Sequence, residues 1–347
     1  MTSMSTTERQ RGSDQVIKAW QVVADGDLAS AVQLRSILEP PLAGDEVRVA
    51  VVAAALGFPD MLLARGLYHD RPPLPFSLGG EAAGYVTAVG ANAQVAVGAP
   101  VIVVPGQVAS GLLQDIVIVP EERVLPIPDG MPMPEAAAFA TAYQTSYMGL
   151  VRRCHLTVGE TLLVLGASGG IGSAAVEIGR ALGARVIAVT RGGDKAAFCS
   201  ALGAHEVIDL AIRTDLIGRV KELTDGRGAD VIFDPVGGSA TDAARRCIAL
   251  EGRLLIIGFA SGEVPVVPVN HALLKNYSIV GYRTWPFRGD PQYRAEVHEA
   301  LSQMYSRGAL RPRVEQIRFE DVPQGLQRLA DRQIMGRLVA TVAGESP

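Results

Sequence analysis

The stretch that most constrains this chain is Thr161–Gly172, TLLVLGASGGIG. Leu162, Leu163, Val164 and Leu165 form an unbroken apolar run, which reads as a strand buried on both faces. A glycine-rich turn follows at once: Gly166, Ala167, Ser168, Gly169, Gly170, Ile171, Gly172. Ser173–Leu182 then reads as a helix, with Ala174, Ala175, Ile178, Ala181 and Leu182 on or near one stripe. A turn free of side chains lets the backbone approach a pyrophosphate, and the unpaired N–H groups of a helix start attract its charge. Glycines alone are a weak signal, because any tight turn uses them. Between this strand and this helix they predict a dinucleotide-binding crossover.

The pattern repeats downstream. Strands are predicted at Arg185–Thr190, Glu206–Asp209, Asp230–Asp234 and Gly252–Gly258, and helices at Lys195–Leu202, Asp215–Thr224 and Thr241–Ala249. Ser278–Tyr282 offers a sixth strand. The fold class is therefore α/β, with a doubly wound parallel sheet. Upstream the pattern differs. Strands at Val16–Val23 and Glu46–Ala54 flank the proline-rich Glu39-Pro40-Pro41, and a short helix Phe58–Arg65 has Pro59 near its start. Strands at Tyr85–Val89, Pro100–Val104 and Asp115–Val119 are cut by glycines, which predicts a compact, mostly antiparallel β unit. Glu135–Ala140 and Ala142–Leu150 read as helical. After Trp285-Pro286 come a helix (Pro291–Arg307), a strand (Ile317–Glu320), a helix (Val322–Ala330) and a last strand (Leu338–Val342). The expected organisation is a disordered tail over 1–15, a β unit over 16–140, a nucleotide domain over 141–284, and a return to the β unit over 285–347.

Net charge is −4, without the basic face that nucleic acid requires. The N-terminal stretch lacks an apolar signal-peptide core, and no apolar run is long enough for a membrane helix. Cys154, Cys199 and Cys247 are scattered and odd in number, which fits unpaired thiols in a reducing cytoplasm.

Taken together, Phe58-Pro59-Asp60, Arg65-Gly66-Leu67-Tyr68, Pro73-Leu74-Pro75-Phe76, Gly79-Gly80-Glu81-Ala82-Ala83-Gly84, the glycine loop, Asp234-Pro235-Val236-Gly237-Gly238 and Ile257-Gly258-Phe259 resemble the medium-chain dehydrogenase/reductase superfamily. The branch they resemble is that of the zinc-free quinone oxidoreductases. The resemblance implies a GroES-like, mostly β catalytic domain, an inserted Rossmann domain, an active site between them, and a homodimer. The apolar, extended Val264–Val269 is a candidate for covering a sheet edge or pairing across a two-fold axis.

The zinc alcohol dehydrogenases of that superfamily hold their metal with an early Cys and a His in Gly-His-Glu. Here the matching positions are Gly57 and Gly80, and no cysteine precedes Cys154, so no metal site is expected. His69 reads as a loop histidine. Asp60 reads as a helix-starting residue and Glu81 as one that holds a barrel turn.

For the nucleotide, the second strand ends in Thr190, where an NAD-type site would carry an acid. Arg191 and Lys195 follow, placed for a 2′-phosphate, and Asp194 is a candidate cap for the Lys195 helix. The resemblance adds Arg332 as a second phosphate ligand, while Leu210 replaces a family tyrosine. NADPH is the expected cofactor. Thr145 matches a family threonine near the nicotinamide, and Val236-Gly237 and Gly258-Phe259 follow the fourth and fifth strands at the edge where ligands bind. Core packing is the alternative role for Phe259.

Such a site suits hydride transfer to a quinone or another conjugated carbonyl. Tyr68 matches an active-site tyrosine of the family and is the candidate oxyanion or proton donor. Packing of its ring beneath the proline loop is the alternative. Gly57 and Leu62 replace polar family residues, which leaves the substrate pocket more apolar. An enoyl-thioester (enoyl-CoA or acyl-carrier) reductase is a second reading, with Arg283, Arg288 and Arg294 as candidates for the pantetheine-phosphate arm. A non-catalytic, crystallin-like or RNA-contacting NADPH-binding protein is a third.

Overall fold

The computed structural model describes residues 15–68, 70–104, 106, 111–284 and 290–342. The expectations for the first fourteen residues, for His69 and for Arg288 fall outside the described residues.

Six parallel strands form the nucleotide-type sheet, in the spatial order Glu206–Asp209, Arg185–Thr190, Thr161–Val164, Ala229–Asp234, Ile248–Ile256, Ser278–Gly281. Thr161–Val164 lies at the centre, and the chain winds outward from it first to one side and then to the other. That reversal opens a crevice at its carboxyl end, where the glycine turn sits. Leu162, Leu163 and Val164 are fully buried because helices cover both faces. Helix Gly170–Ala181 packs Ala174, Ala175, Val176 and Ile178 into the core.

The second sheet runs Val314–Arg318, Arg337–Thr341, Glu46–Leu56, Glu81–Val89, Pro100–Val103, Val124–Pro126, with Ile116–Pro120 also paired to Glu46–Leu56. Its pairs are antiparallel except Val314–Arg318 with Arg337–Thr341. Both ends of the chain therefore meet in one sheet. Arg337–Thr341 carries the C-terminal segment directly alongside the glycine loop. A small antiparallel sheet of Val32–Leu38, Val16–Val22 and Phe76–Ser77 flanks it.

Several elements depart from expectation, three of them with a plain physical cause. Strand Val32–Leu38 was not foreseen; only Val32 of its seven residues is buried, so it leaves no alternating apolar signature. Glu135–Ala140 is not one helix. A short helix, Met133–Ala136, ends before Ala140–Tyr147 begins, and the intervening Ala137 and Ala138 are fully buried. Packing overrides alanine's helix preference there. Val264–Pro268 forms no strand. Pro265 and Pro268 lack N–H donors, and a helix, Val269–Lys275, starts directly after Pro268.

Candidate functional site

The glycine loop is held from both sides. Ala167 N–H donates to the Val189 carbonyl (3.0 Å) and Gly169 N–H to that of Gly166 (3.0 Å). Gly166 adopts φ +59°, the left-handed region glycine favours. The helix begins at Gly170, three residues earlier than expected, so Gly170, Ile171 and Gly172 form its first turn. A Cβ on Gly172 would lie 2.3 Å from the Gly166 carbonyl oxygen and 2.9 Å from Ala167 Cα. Only glycine permits this close turn at the start of the helix.

The second strand ends at buried Thr190, whose hydroxyl lies 3.1 Å from that of Ser168. Asp209, at the end of the third strand, accepts N–H bonds from Gly192 (2.7 Å) and Ala211 (2.8 Å). Those bonds hold its carboxyl below the usual range and occupy one of its oxygens in shaping the Arg191 loop. Arg191 donates to the Leu210 carbonyl (3.3 Å). Lys195 Nζ reaches the Arg332 carbonyl (2.5 Å), and the Arg332 guanidinium donates to the Ala260 carbonyl (3.3 Å). Lys195 and Arg332, 137 positions apart, thus meet at one corner of the crevice. Asp194 does not cap the Lys195 helix: Gly192 occupies the cap, and Asp194 lies in the first turn.

On the other side, fully buried Asp234 accepts from Val236 N–H (2.8 Å) and Gly237 N–H (3.0 Å) and from the Thr241 hydroxyl. It shapes the turn that sets Val236 against the glycine loop: a Cβ on Gly166 would lie 3.1 Å from Val236 Cγ2. Phe259 borders Gly237 and is 42% exposed, so core packing is not its role. Gly258 precedes it on the same rim.

At the far end, Thr145 is buried, and its hydroxyl donates to the Thr141 carbonyl (2.6 Å). Thr141 N–H donates to Glu81 (2.9 Å), and Glu81 pairs with Arg337 (3.2 Å). The Arg337 side chain crosses the junction. Its Cδ would lie 2.6 Å from a Cβ on Gly170, and its Nη1 3.4 Å from one on Gly57. Asp60 accepts from Gly57 N–H (2.8 Å) and Gly79 N–H (2.9 Å) at the start of helix Phe58–Ala64. Burial raises both the Asp60 and Glu81 carboxyls, and the Arg337 guanidinium opposes the rise. Leu62 and Tyr68 are half-buried against the core of the second sheet. A Cβ on Gly80 would meet nothing within 4 Å, so open space adjoins the ion pair.

Asp60 therefore starts a helix, as expected. Glu81 does more than hold a turn, since it joins Thr141 to Arg337. Arg337 and Gly336 were missed: Gly336 N–H donates to the Ser168 carbonyl (2.9 Å), tying the last strand to the glycine loop. The Glu81–Arg337 bond spans 256 positions, and no local pattern announces it.

The site does not fit a zinc ion. Gly57 and Gly80 offer no ligand, Asp60 is bound to two N–H groups, and Glu81 is paired. Among the described residues no three His, Cys, Asp or Glu side chains gather as a metal site. Nor is any described helix long and apolar enough to cross a membrane.

Comparison with known proteins agrees with this architecture. Residues 43–129 match the alcohol dehydrogenase GroES-like domain family, and residues 170–303 match a family described as zinc-binding dehydrogenase. The chain is 35% identical over 303 residues to a quinone oxidoreductase-like protein 2 homolog of Nematostella vectensis, covering 86% of this chain and 82% of that protein. Among solved structures, a Pseudomonas syringae quinone oxidoreductase superposes with a TM-score of 0.84 at 28% identity, covering 94% of this chain and 99% of its own. A mycobacterial protein solved with NADPH superposes with a TM-score of 0.85 at 25% identity, covering 94% and 99%.

Proposed function

Because the chain belongs to the quinone oxidoreductase branch of the medium-chain dehydrogenase/reductase superfamily, we propose that it is an NADPH-dependent oxidoreductase that reduces quinones or other conjugated carbonyls without a metal. The observation that carries the cofactor half is the glycine cradle, which closes on its own backbone at Gly172 and presents a helix start to the crevice.

In this reading Gly166–Gly172 holds the pyrophosphate, and Val236, Gly258 and Phe259 line the opposite rim. Arg191, Lys195 and Arg332 take the 2′-phosphate, and Thr190 leaves the strand end free of the acid that would repel it. Thr145 flanks the nicotinamide end. Bound there, the reduced cofactor supplies a hydride. Hydride addition to a conjugated carbonyl places negative charge on its oxygen. Tyr68 donates a hydrogen bond or its proton to that charge. Gly57, Leu62 and the open space at Gly80 admit a bulky acceptor. The free, buried cysteines accord with the reducing cytoplasm assigned here.

The functional unit in this reading is a homodimer. Val264, Val266, Val269, Leu273 and Leu274 are each more than two-thirds exposed, and they precede in the chain the edge strand Ser278–Gly281, where Ile279 is 44% exposed. A second copy that continues the sheet would cover them. Sedimentation at micromolar concentration reads this directly: a dimer is expected, and a monomer overturns it.

The activity test is NADPH consumption with 1,2-naphthoquinone, a simple enone and crotonyl-CoA. Turnover with the quinone or the enone is expected. Turnover with crotonyl-CoA alone replaces the reading with thioester reduction, and binding without any turnover removes the enzyme assignment.

A further inference from the structure

Tyr143 and Glu177 form a buried pair at the junction of three segments. Tyr143 lies on helix Ala140–Tyr147, two positions before Thr145. Glu177 lies on the glycine-loop helix and is 5% exposed. The Tyr143 hydroxyl donates to Glu177 Oε2 at 2.5 Å. From the C-terminal return segment, Arg311 N–H donates to both Glu177 oxygens (3.3 Å each). The Arg311 guanidinium stacks on Tyr305 (4.9 Å), whose hydroxyl bonds Glu135 (3.4 Å), and Phe139 packs between Tyr143 and Tyr305. The charged and titratable groups facing Glu177 are therefore Tyr143, Arg311 and Arg313, with Glu135 and Tyr305 behind them.

We propose that Glu177 is a positioning residue for the nicotinamide end of the crevice, acting through Tyr143: when ionised it clamps helix Ala140–Tyr147, and with it Thr145, against the glycine-loop helix, and when protonated it weakens that clamp. Three observations carry this. The pair joins the helix that starts at the glycine loop to the helix that bears Thr145. Its third partner, Arg311, comes from the return segment beyond helix Pro291–Ser306, so the clamp also fastens that segment to the glycine-loop helix. And its strength changes with one proton, because a charge-assisted bond from Tyr143 is about twice as strong as a neutral one. Burial pushes the Glu177 carboxyl up to about 7, while the Tyr143 bond, the Arg311 N–H and the Arg313 and Arg311 charges restrain the rise. The switch thus falls within the working pH range. The proton exchanges with solvent, and no other group changes its state.

The inference rests on the dinucleotide reading above, so the test separates the two. NADPH binding is followed from pH 5.5 to 8.5 by the fluorescence of the reduced nicotinamide, in wild type, Glu177→Gln and Tyr143→Phe. Glutamine mimics the protonated acid. The two affinities are expected to coincide below pH 6 and to separate about fivefold above pH 7.5, with wild type tighter. Tyr143→Phe removes a bond that lowers the Glu177 transition and moves it to higher pH. An equal offset between Glu177→Gln and wild type at every pH overturns the clamp.

If no chain binds NADPH, the dinucleotide reading fails, and urea unfolding still reads the clamp's proton. A raised carboxyl favours the folded state below its unfolded value of 4.5 and loses that advantage as pH rises toward 7. The Glu177→Gln midpoint should therefore gain on wild type from pH 5 to pH 7.5. A constant gap means Glu177 does not titrate there and overturns the proposal.

Discussion

The two ends of the crevice are built differently. The phosphate end is made of backbone: a strand end, a turn whose glycine leaves 2.3 Å between a would-be Cβ and a carbonyl, and a helix start. The acceptor end is made of side chains drawn from distant segments. Arg337 pairs with Glu81 there, and Asp60 holds the backbone of Gly57 and Gly79, around glycines that contribute no side chain. The first end is generic and fixes a class of ligand. The second is particular to this chain, and in the proposed reading the open space at Gly80 admits a bulky acceptor.

The contrast predicts which substitutions unfold the protein and which disarm it. The largest effect belongs to Arg337→Ala. Removing the guanidinium strands the fully buried Glu81 carboxylate, and such broken pairs cost about 3–5 kcal/mol. Urea unfolding at pH 7 reads it, and a loss below about 1 kcal/mol would mean the Thr141 N–H bond suffices to hold Glu81. Tyr68→Phe comes next. If the phenol meets the developing oxyanion, kcat falls about 10²–10³-fold with NADPH affinity unchanged; an unaltered kcat assigns Tyr68 to packing.

Gly172→Ala forces the turn apart at its backbone, so NADPH affinity should fall by about 100-fold while the fold persists. Lys195→Ala is smaller and selective. One charge-assisted contact is worth about 1.5–3 kcal/mol, so the NADPH KM rises at least about tenfold while the NADH KM stays close to wild type. Equal effects on both cofactors would remove the 2′-phosphate from that corner.

The same contrast explains what could be read in advance. The parallel sheet was legible because each strand is an apolar run and each helix a stripe; Arg185–Thr190 and Glu206–Asp209 match to the residue. The glycine loop was legible because its chemistry lies within twelve consecutive residues. Strand Val32–Leu38 was hidden because most of it faces solvent. The Lys195–Arg332 contact came from resemblance, since 137 positions separate the two residues. Arg337 was missed because its partner lies 256 positions away, and an arginine at the start of an apolar strand is ordinary by itself. Tyr143–Glu177 was missed for a related reason: both sit within helical stripes that read as apolar packing.

The most direct test of the account is a comparison of NADPH and NADH as donors to 1,2-naphthoquinone at pH 7, with kcat/KM measured for each. NADPH-driven reduction is expected to be favoured at least about tenfold over NADH, from 2′-phosphate binding where Lys195 and Arg332 meet. Equal use of both donors, or no quinone reduction by a chain that binds NADPH, would contradict it.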